Sequence, residues 1–367
     1  MTNNSAFHSI GFIGLGLIGG SVAKAAKLAY PNLEIYFYDK DEITITLAEE
    51  KGYHYVELTD SKLTQAEILF LCGPVLANSE NLRVIADKLG KDTLLTDVGS
   101  VKKEITDEVS ALGLDAKFIG GHPMAGSERI GFANSTHKIL KNAYYILSPS
   151  DANTTAQIEK LTSFVAAIGA LPLTLAPEKH DYVTAAISHL PHVISASLVN
   201  LVKNSDDPNG TMKMIAAGGF KDITRISSSS PTMWEHICMT NKDNILSLLD
   251  DYMASLAAIR SEIEAQKRDE IHDFFDSART YRDSFPETSS GPIKKAHVFY
   301  VEIPDENGAL ATIVTLLAFA QISIKNISIT HNREVAQGSL RMELYEEKDL
   351  PRAMQILQEK NYQVFQS

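Results

Sequence analysis

Cysteine is scarce. Two residues in a chain of 367, Cys72 and Cys238, stand too far apart for a disulfide framework, which excludes a cystine-stapled secreted scaffold and points to a reducing compartment. Basic residues are in the minority, 34 Lys and Arg against 46 Asp and Glu, for a formal charge of −12. That balance speaks against nucleic acid or an anionic membrane as the main partner. A small anionic substrate is not excluded, because it answers to a local site. The opening Met1-Thr2-Asn3-Asn4-Ser5 lacks the charged and apolar regions of a signal peptide. The longest uncharged apolar stretch is read around Leu310 to Ala320, too short to span a bilayer, and a cytoplasmic protein is expected. Long internal repeats and low-complexity tracts are missing too.

What is present is an ordinary globular composition, 44% hydrophobic and 22% charged, in a length that allows about two or three domains. The chain is organised around Ile10-Gly11-Phe12-Ile13-Gly14-Leu15-Gly16-Leu17-Ile18-Gly19-Gly20. Phe7 to Ile13 reads as a buried strand. From Leu17 a helix follows, with Ile18, Val22, Ala25 and Ala29 on one face. Between them lies Gly14-x-Gly16-x-x-Gly19. The first glycine permits a tight turn, the second lets a pyrophosphate approach the backbone, and the third lets helix and strand pack closely. Leu17 and Ile18 open a helix whose free N–H groups face the phosphates. A second apolar strand, Ile35 to Tyr38, ends in Asp39, placed to hold an adenosine ribose through its 2′-hydroxyl. Asp39 would repel a 2′-phosphate, so NAD is favoured over NADP, a preference that Lys40 softens.

Further strands are read at Ile68 to Leu71, running into Cys72-Gly73-Pro74; at Thr93 to Thr96; and at Phe118-Ile119, running into Gly120-Gly121-His122-Pro123. Tyr144 to Leu147 and Leu171 to Thr174 follow, with a helix near Ala156 to Ile168 between them. Strand–helix alternation indicates a doubly wound parallel sheet, a Rossmann domain over 1–176. Ligands bind beyond the carboxyl ends of such strands, which brings Gly73 and Pro74 to the dinucleotide. From Pro177 the strand signals stop. Val183, Ile187, Leu190, Ile194 and Leu198 mark a helix that Pro191 should kink or divide. Ile245, Leu249, Tyr252, Leu256, Ile259 and Ile263 mark a long amphipathic helix. A helical domain over 177–284 is therefore expected, apolar enough to form a homodimer interface. A linker at 285–295 leads to a β-α-β-β-α-β unit over 296–367, the ferredoxin-like order.

Among groups with chemistry, His122 is the sharpest candidate. Pro123 holds its backbone extended, at the end of a sheet strand, where a neutral imidazole can take a hydroxyl proton. Ser100 has two readings, a ligand contact or the N-cap of a helix through Val101, Ile105 and Val109. His189 and His192 share a helix face, but no third ligand stands at metal-like spacing, and no metal is expected. Arg225 suits bidentate capture of a carboxylate or, equally, a surface salt bridge with Asp222.

Together these residues resemble the prephenate dehydrogenases of tyrosine biosynthesis. The resemblance rests on GLGLIGGS at 14–21, DVGSVK at 97–102, GGHPMAGSE at 120–128, SHLPH at 188–192, GGFKDITRI at 218–226 and PTMW at 231–234. It implies NAD-dependent oxidative decarboxylation of prephenate to 4-hydroxyphenylpyruvate. His122 would take the ring-hydroxyl proton and Ser100 would help to orient it. His189, His192, Arg225 and Trp234 would meet the substrate, with Glu128 and Asp222 in an ionic network at the entrance. The tail around Ile303 to Leu310 resembles an ACT domain, which implies an effector site for L-tyrosine. Arogenate, with an amine for the side-chain keto group, remains an alternative substrate. A β-hydroxyacid dehydrogenase would carry a catalytic lysine in the helical domain instead of the SHLPH pattern, and a non-catalytic NAD-sensing ACT protein would not need His122, His192 and Arg225 together.

Overall fold

The computed structural model describes residues 7–126, 129–285, 297–303, 306, 308–330 and 338–365. They fall into two compact units, residues 1–291 and 292–367. Most of the linker expected at 285–295 lies outside the described residues.

The first unit is built on eight strands: β1 (Ser9–Ile13), β2 (Glu34–Tyr38), β3 (His54–Tyr55), β4 (Ile68–Leu71), β5 (Leu94–Asp97), β6 (Phe118–Pro123), β7 (Tyr144–Pro149) and β8 (Leu171–Thr174). Their order is β3-β2-β1-β4-β5-β6-β7-β8. The strands are parallel through β6, as the sequence alternation leads one to expect. β7 then runs antiparallel to β6, and β8 follows β7. Among the described residues no crossover helix joins β6 to β7. The described part of the connection carries only two 3₁₀ turns, Phe132–Asn134 and His137–Leu140, so the chain returns beside the strand it left.

Helices α1 (Leu17–Ala29), α2 (Glu42–Glu49), α3 (Ser61–Thr64), α4 (Val75–Ile85), α5 (Lys103–Ala111) and α6 (Thr155–Ala167) cover the sheet. β1 and β4 are buried nearly throughout, because both sheet faces are covered. The β6–β7 connection packs on α1: Lys24 Nζ donates to the carbonyls of Phe132 and Ser135, and Thr136 N–H donates to Ser21 Oγ.

Beyond the sheet come α7 (Pro177–Thr184), a π turn (Ala185–His189), α8 (Leu190–Ser205), α9 (Thr211–Ile215), α10 (Gly218–Thr224), α11 (Pro231–Thr240), α12 (Lys242–Glu264) and α13 (Arg268–Asp283). α7, the π turn and α8 form one unbroken helical run. Pro191 can donate no N–H and its ring crowds the preceding turn, and the wider turn absorbs the misfit. Residues 182–202 within it carry no Asp, Glu, Lys or Arg, so this and not Leu310 to Ala320 is the longest uncharged stretch. The run Pro177–Ser205 is long and apolar enough to cross a membrane by length and composition. Its inner face, however, is largely polar: His180, Asp181, Thr184, His189 and Ser195 are buried, while Ile187 is 63% and Leu201 61% exposed.

The second unit has strands β9 (His297–Ile303), β10 (Ile324–Thr330), β11 (Gly338–Leu344) and β12 (Val364–Phe365), with helices α14 (Ala309–Phe319) and α15 (Asp349–Gln358). The order β-α-β-β-α-β is the one read from the sequence. The strands form an antiparallel sheet ordered β10-β11-β9-β12, with its own core around Phe299, Ile313, Leu317, Met342 and Leu357.

Candidate active site

Strand order reverses between β1 and β4, and the loops beyond their carboxyl ends meet there. Gly14 has φ +92°, a conformation that strains any side chain, and a Cβ on it would lie 3.0 Å from Gly73 N. A Cβ on Gly19 would stand 2.6 Å from the Gly14 carbonyl oxygen, so α1 can approach its own strand only with glycine here. A Cβ on Gly16 would meet nothing within 4 Å. The space above Gly16 is open, and no side chain caps the α1 N-terminus behind it. These are the features a pyrophosphate requires. Asp39 accepts hydrogen bonds from Leu15 N–H (2.7 Å) and Asp41 N–H (2.9 Å), which fixes its carboxylate against the glycine turn. Gly73 is locked by Asn78, whose Oδ1 accepts Gly73 N–H at 2.9 Å and whose Nδ2 donates back to the Gly73 carbonyl at 3.0 Å. Pro74 precedes α4 at its N-cap position.

Three strands along, β6 ends at His122 and Pro123. Beneath them lies an ion pair between the two ends of the DVGSVK motif: Lys102, fully buried, against Asp97. Asp97 also accepts Gly121 N–H at 2.9 Å, and Lys102 Nζ donates to the Gly121 carbonyl at 2.6 Å. The residue before His122 is thus held from both sides. His122 Nδ1 stands 2.8 Å from His180 Nε2, and His180 Nδ1 stands 2.7 Å from Asp181 Oδ1. Asp181 in turn accepts Lys102 N–H (2.7 Å) and Lys103 N–H (2.8 Å), one on each oxygen. Those are the amides of the N-cap and first residues of α5, so Asp181 caps that helix and Ser100, in the loop before it, does not. Burial pushes the His122 imidazole well below its usual range, and the nearby charges of His180, Lys102 and His189 push the same way. That favours its neutral form.

The other two imidazoles have their protons assigned by their partners. Asn241 Oδ1 accepts from Asn244, so its Nδ2 donates to the Asp181 carbonyl (2.8 Å) and to His189 Nδ1 (3.1 Å). His189 therefore carries its proton on Nε2. Burial, assisted by His180 and His192 against the opposing pull of Asp181, lowers its pKa to about 4. His192 Nδ1 donates to the Ser188 carbonyl at 2.8 Å, and its ring stacks on Trp234 at 3.8 Å. Burial and the Arg225 charge lower the His192 pKa, against the Ser188 bond that raises it.

The structure thus brings His122, His189, His192 and Trp234 together, with Arg225 close enough for its charge to act on His192. Asp222 lies exposed on α10. Glu128 lies outside the described residues, as do Pro304, Asp305 and Asn307 of the loop before α14. Sequence reading missed His180, Asp181, Asn241 and Lys102. Polar residues spaced along the inner stripe of an otherwise apolar helix were the available sign for the first two.

A Rossmann sheet with an open glycine turn, and a neutral imidazole at the end of another strand of the same sheet, define a dinucleotide-dependent oxidoreductase. Comparison with known proteins narrows this. Residues 22–172 match the prephenate dehydrogenase nucleotide-binding domain, and residues 176–277 match the prephenate dehydrogenase dimerization domain. The chain is 35% identical over 371 aligned residues to the prephenate dehydrogenase of Bacillus subtilis (strain 168), covering 99% of each. Among solved structures it resembles prephenate dehydrogenase from A. aeolicus in complex with hydroxyphenyl propionate and NAD+ (TM-score 0.72, 27% identity, 76% of this chain and 99% of that one). It also resembles Synechocystis arogenate dehydrogenase (TM-score 0.67, 29% identity, 76% and 100%). The chain belongs to the prephenate dehydrogenase family.

Proposed function

We propose that His122 is the base in an NAD-dependent oxidative decarboxylation of prephenate. The observation that carries the reading is a half-buried, neutral imidazole at the carboxyl end of β6, in the same sheet whose β1–β4 crevice carries the dinucleotide turn. NAD, when bound, supplies the acceptor for a hydride. Gly14, Gly16, Leu17, Ile18 and Gly19 would hold its pyrophosphate, Asp39 its ribose, and Gly73 and Pro74 the opposite wall. His122 takes the proton of the ring hydroxyl as that carbon is oxidised. Loss of the ring carboxylate then gives an aromatic product, a step driven by aromatisation that needs only an oriented substrate. Arg225 receives a substrate carboxylate and Trp234, through His192, shapes the pocket. Ser100 and Glu128 complete the substrate end, with Asp222 at its entrance. Following NADH formation with prephenate and with arogenate, each with NAD and NADP, tests the reading. Turnover of prephenate with NAD is expected, and turnover of arogenate alone would replace the substrate.

Two further assignments belong to the same proposal. The apolar outer faces of the helical region form a homodimer interface, supported by the exposure of Ile187, Leu201 and Ile215. The C-terminal β-α-β-β-α-β unit is an ACT domain that binds L-tyrosine and inhibits, supported by its topology and separate core.

A further inference from the structure

His122 does not stand alone. It begins a line of hydrogen bonds that runs through His180 to Asp181 and ends on the backbone of α5. We propose that His180 and Asp181 are positioning residues of the reaction: Asp181 fixes the proton of His180 on Nδ1, His180 thereby fixes that of His122 on Nδ1, and His122 is left with an unprotonated Nε2 toward the substrate.

A carboxylate can only accept, so the 2.7 Å contact to Asp181 places a proton on His180 Nδ1. In a neutral His180 the other nitrogen then has a lone pair, and the 2.8 Å contact requires His122 Nδ1 to donate to it. Only His122 Nε2 remains to act as base. His180 is fully buried and Asp181 nearly so, which keeps water from offering a competing partner. Asp181 is itself immobilised. Its two oxygens hold the Lys102 and Lys103 amides, and its main-chain carbonyl accepts from Asn241. When the substrate O–H bond breaks, its proton forms the new bond at His122 Nε2. The positive charge created there is spread through the Nδ1–H···Nε2 bond toward a carboxylate two residues along the line, and no second proton need leave the site. A carboxylate that selects an imidazole tautomer in this way is worth up to about 10⁴ in kcat in serine proteases.

This inference rests on His122 being the base, and its first test needs no substrate. ¹⁵N NMR of imidazole-labelled full-length protein at neutral pH should show His122 protonated at Nδ1 and bare at Nε2. In Asp181→Asn the new amide donates to His180 Nδ1, the order reverses, and the His122 proton should move to Nε2. Its kcat should fall on the order of 10³–10⁴-fold while KM for prephenate stays within about twofold. Because Asp181 also caps α5, the second pair leaves that cap intact. His180→Gln, whose side-chain oxygen can accept His122 Nδ1–H, should keep kcat within about tenfold, and His180→Leu should lose about 10²-fold or more. A wild-type His122 protonated at Nε2, an unchanged tautomer in Asp181→Asn, or equal kcat in His180→Gln and His180→Leu would each overturn the proposal. If wild-type protein fails to oxidise prephenate yet shows the expected proton pattern, the assignment of substrate fails and the relay stands.

Discussion

At the scale of the residue, the chemistry turns on which atoms are protonated, and burial decides much of that. His122→Asn keeps a polar side chain of similar reach but no base, so kcat should drop about 10²–10⁴-fold with the protein still folded. Steady-state rates beside a circular dichroism melt measure both. Burial also gives stability a sign with pH. His122 and His189 titrate lower in the folded chain than in the unfolded one, so below about pH 6.5 the unfolded state binds more protons and acid favours unfolding. With a folded pKa of about 4, His189 alone should remove about 2 kcal/mol between pH 7 and 5. Denaturant midpoints at those two pH values measure the loss, and His189→Asn should flatten it. His122, with its Pro123 and its place at a strand end, was legible in the sequence. Its supports were not, because His180 lies 58 positions away and Asp181 reaches α5 across 79 and 78 positions. Such pairings leave no trace in local spacing.

At the scale of the element, the glycine turn separates folding from binding. Gly19→Ala sets a Cβ against the Gly14 carbonyl, and overpacking of this kind costs about 1–3 kcal/mol. Gly16→Ala meets no protein atom, yet fills the space a pyrophosphate needs. The expected outcome is a lowered Tm for Gly19→Ala, and a near-normal Tm with a KM for NAD raised tenfold or more for Gly16→Ala. Calorimetry and NAD titration distinguish them. The elements themselves were well marked in the sequence: β4 and β8 have the bounds read from it, Ile68 to Leu71 and Leu171 to Thr174. The direction of β7 was not, since an apolar run reads the same either way and only the missing crossover helix betrays it. β3, two residues long, is too short for any period. The apolar stripe from Val183 to Leu198 was read as marking a helix of an interface-forming domain, and much of the buried face of that run is polar. Hydrophobicity there reports an outer surface, and no periodicity tells a core from an interface.

At the scale of the whole molecule, the two units have separate cores, the first around residues such as Phe12, Phe70 and Phe164. Removing residues from 292 onward should therefore leave prephenate turnover in place and abolish inhibition by L-tyrosine, read as the dose–response of NADH formation. Unchanged inhibition would move the effector site into the first unit. Light scattering on the same truncated protein should still give a dimer, since the exposed apolar helices belong to residues 177–284.

The π turn at Ala185–His189 adds a consequence of its own. It works like a vernier, letting one rod carry two scales that differ by a single tick. Taking out one residue, Ala186, would let the rod close into a regular α-helix with little net rotation downstream, because the five-residue π turn covers about the angle of four residues of α-helix. His192 and the bare outer stripe would then keep their directions. One excision is thus expected to leave substrate affinity and self-association in place while helix content holds, seen as a KM and a mass in light scattering close to those of the intact chain.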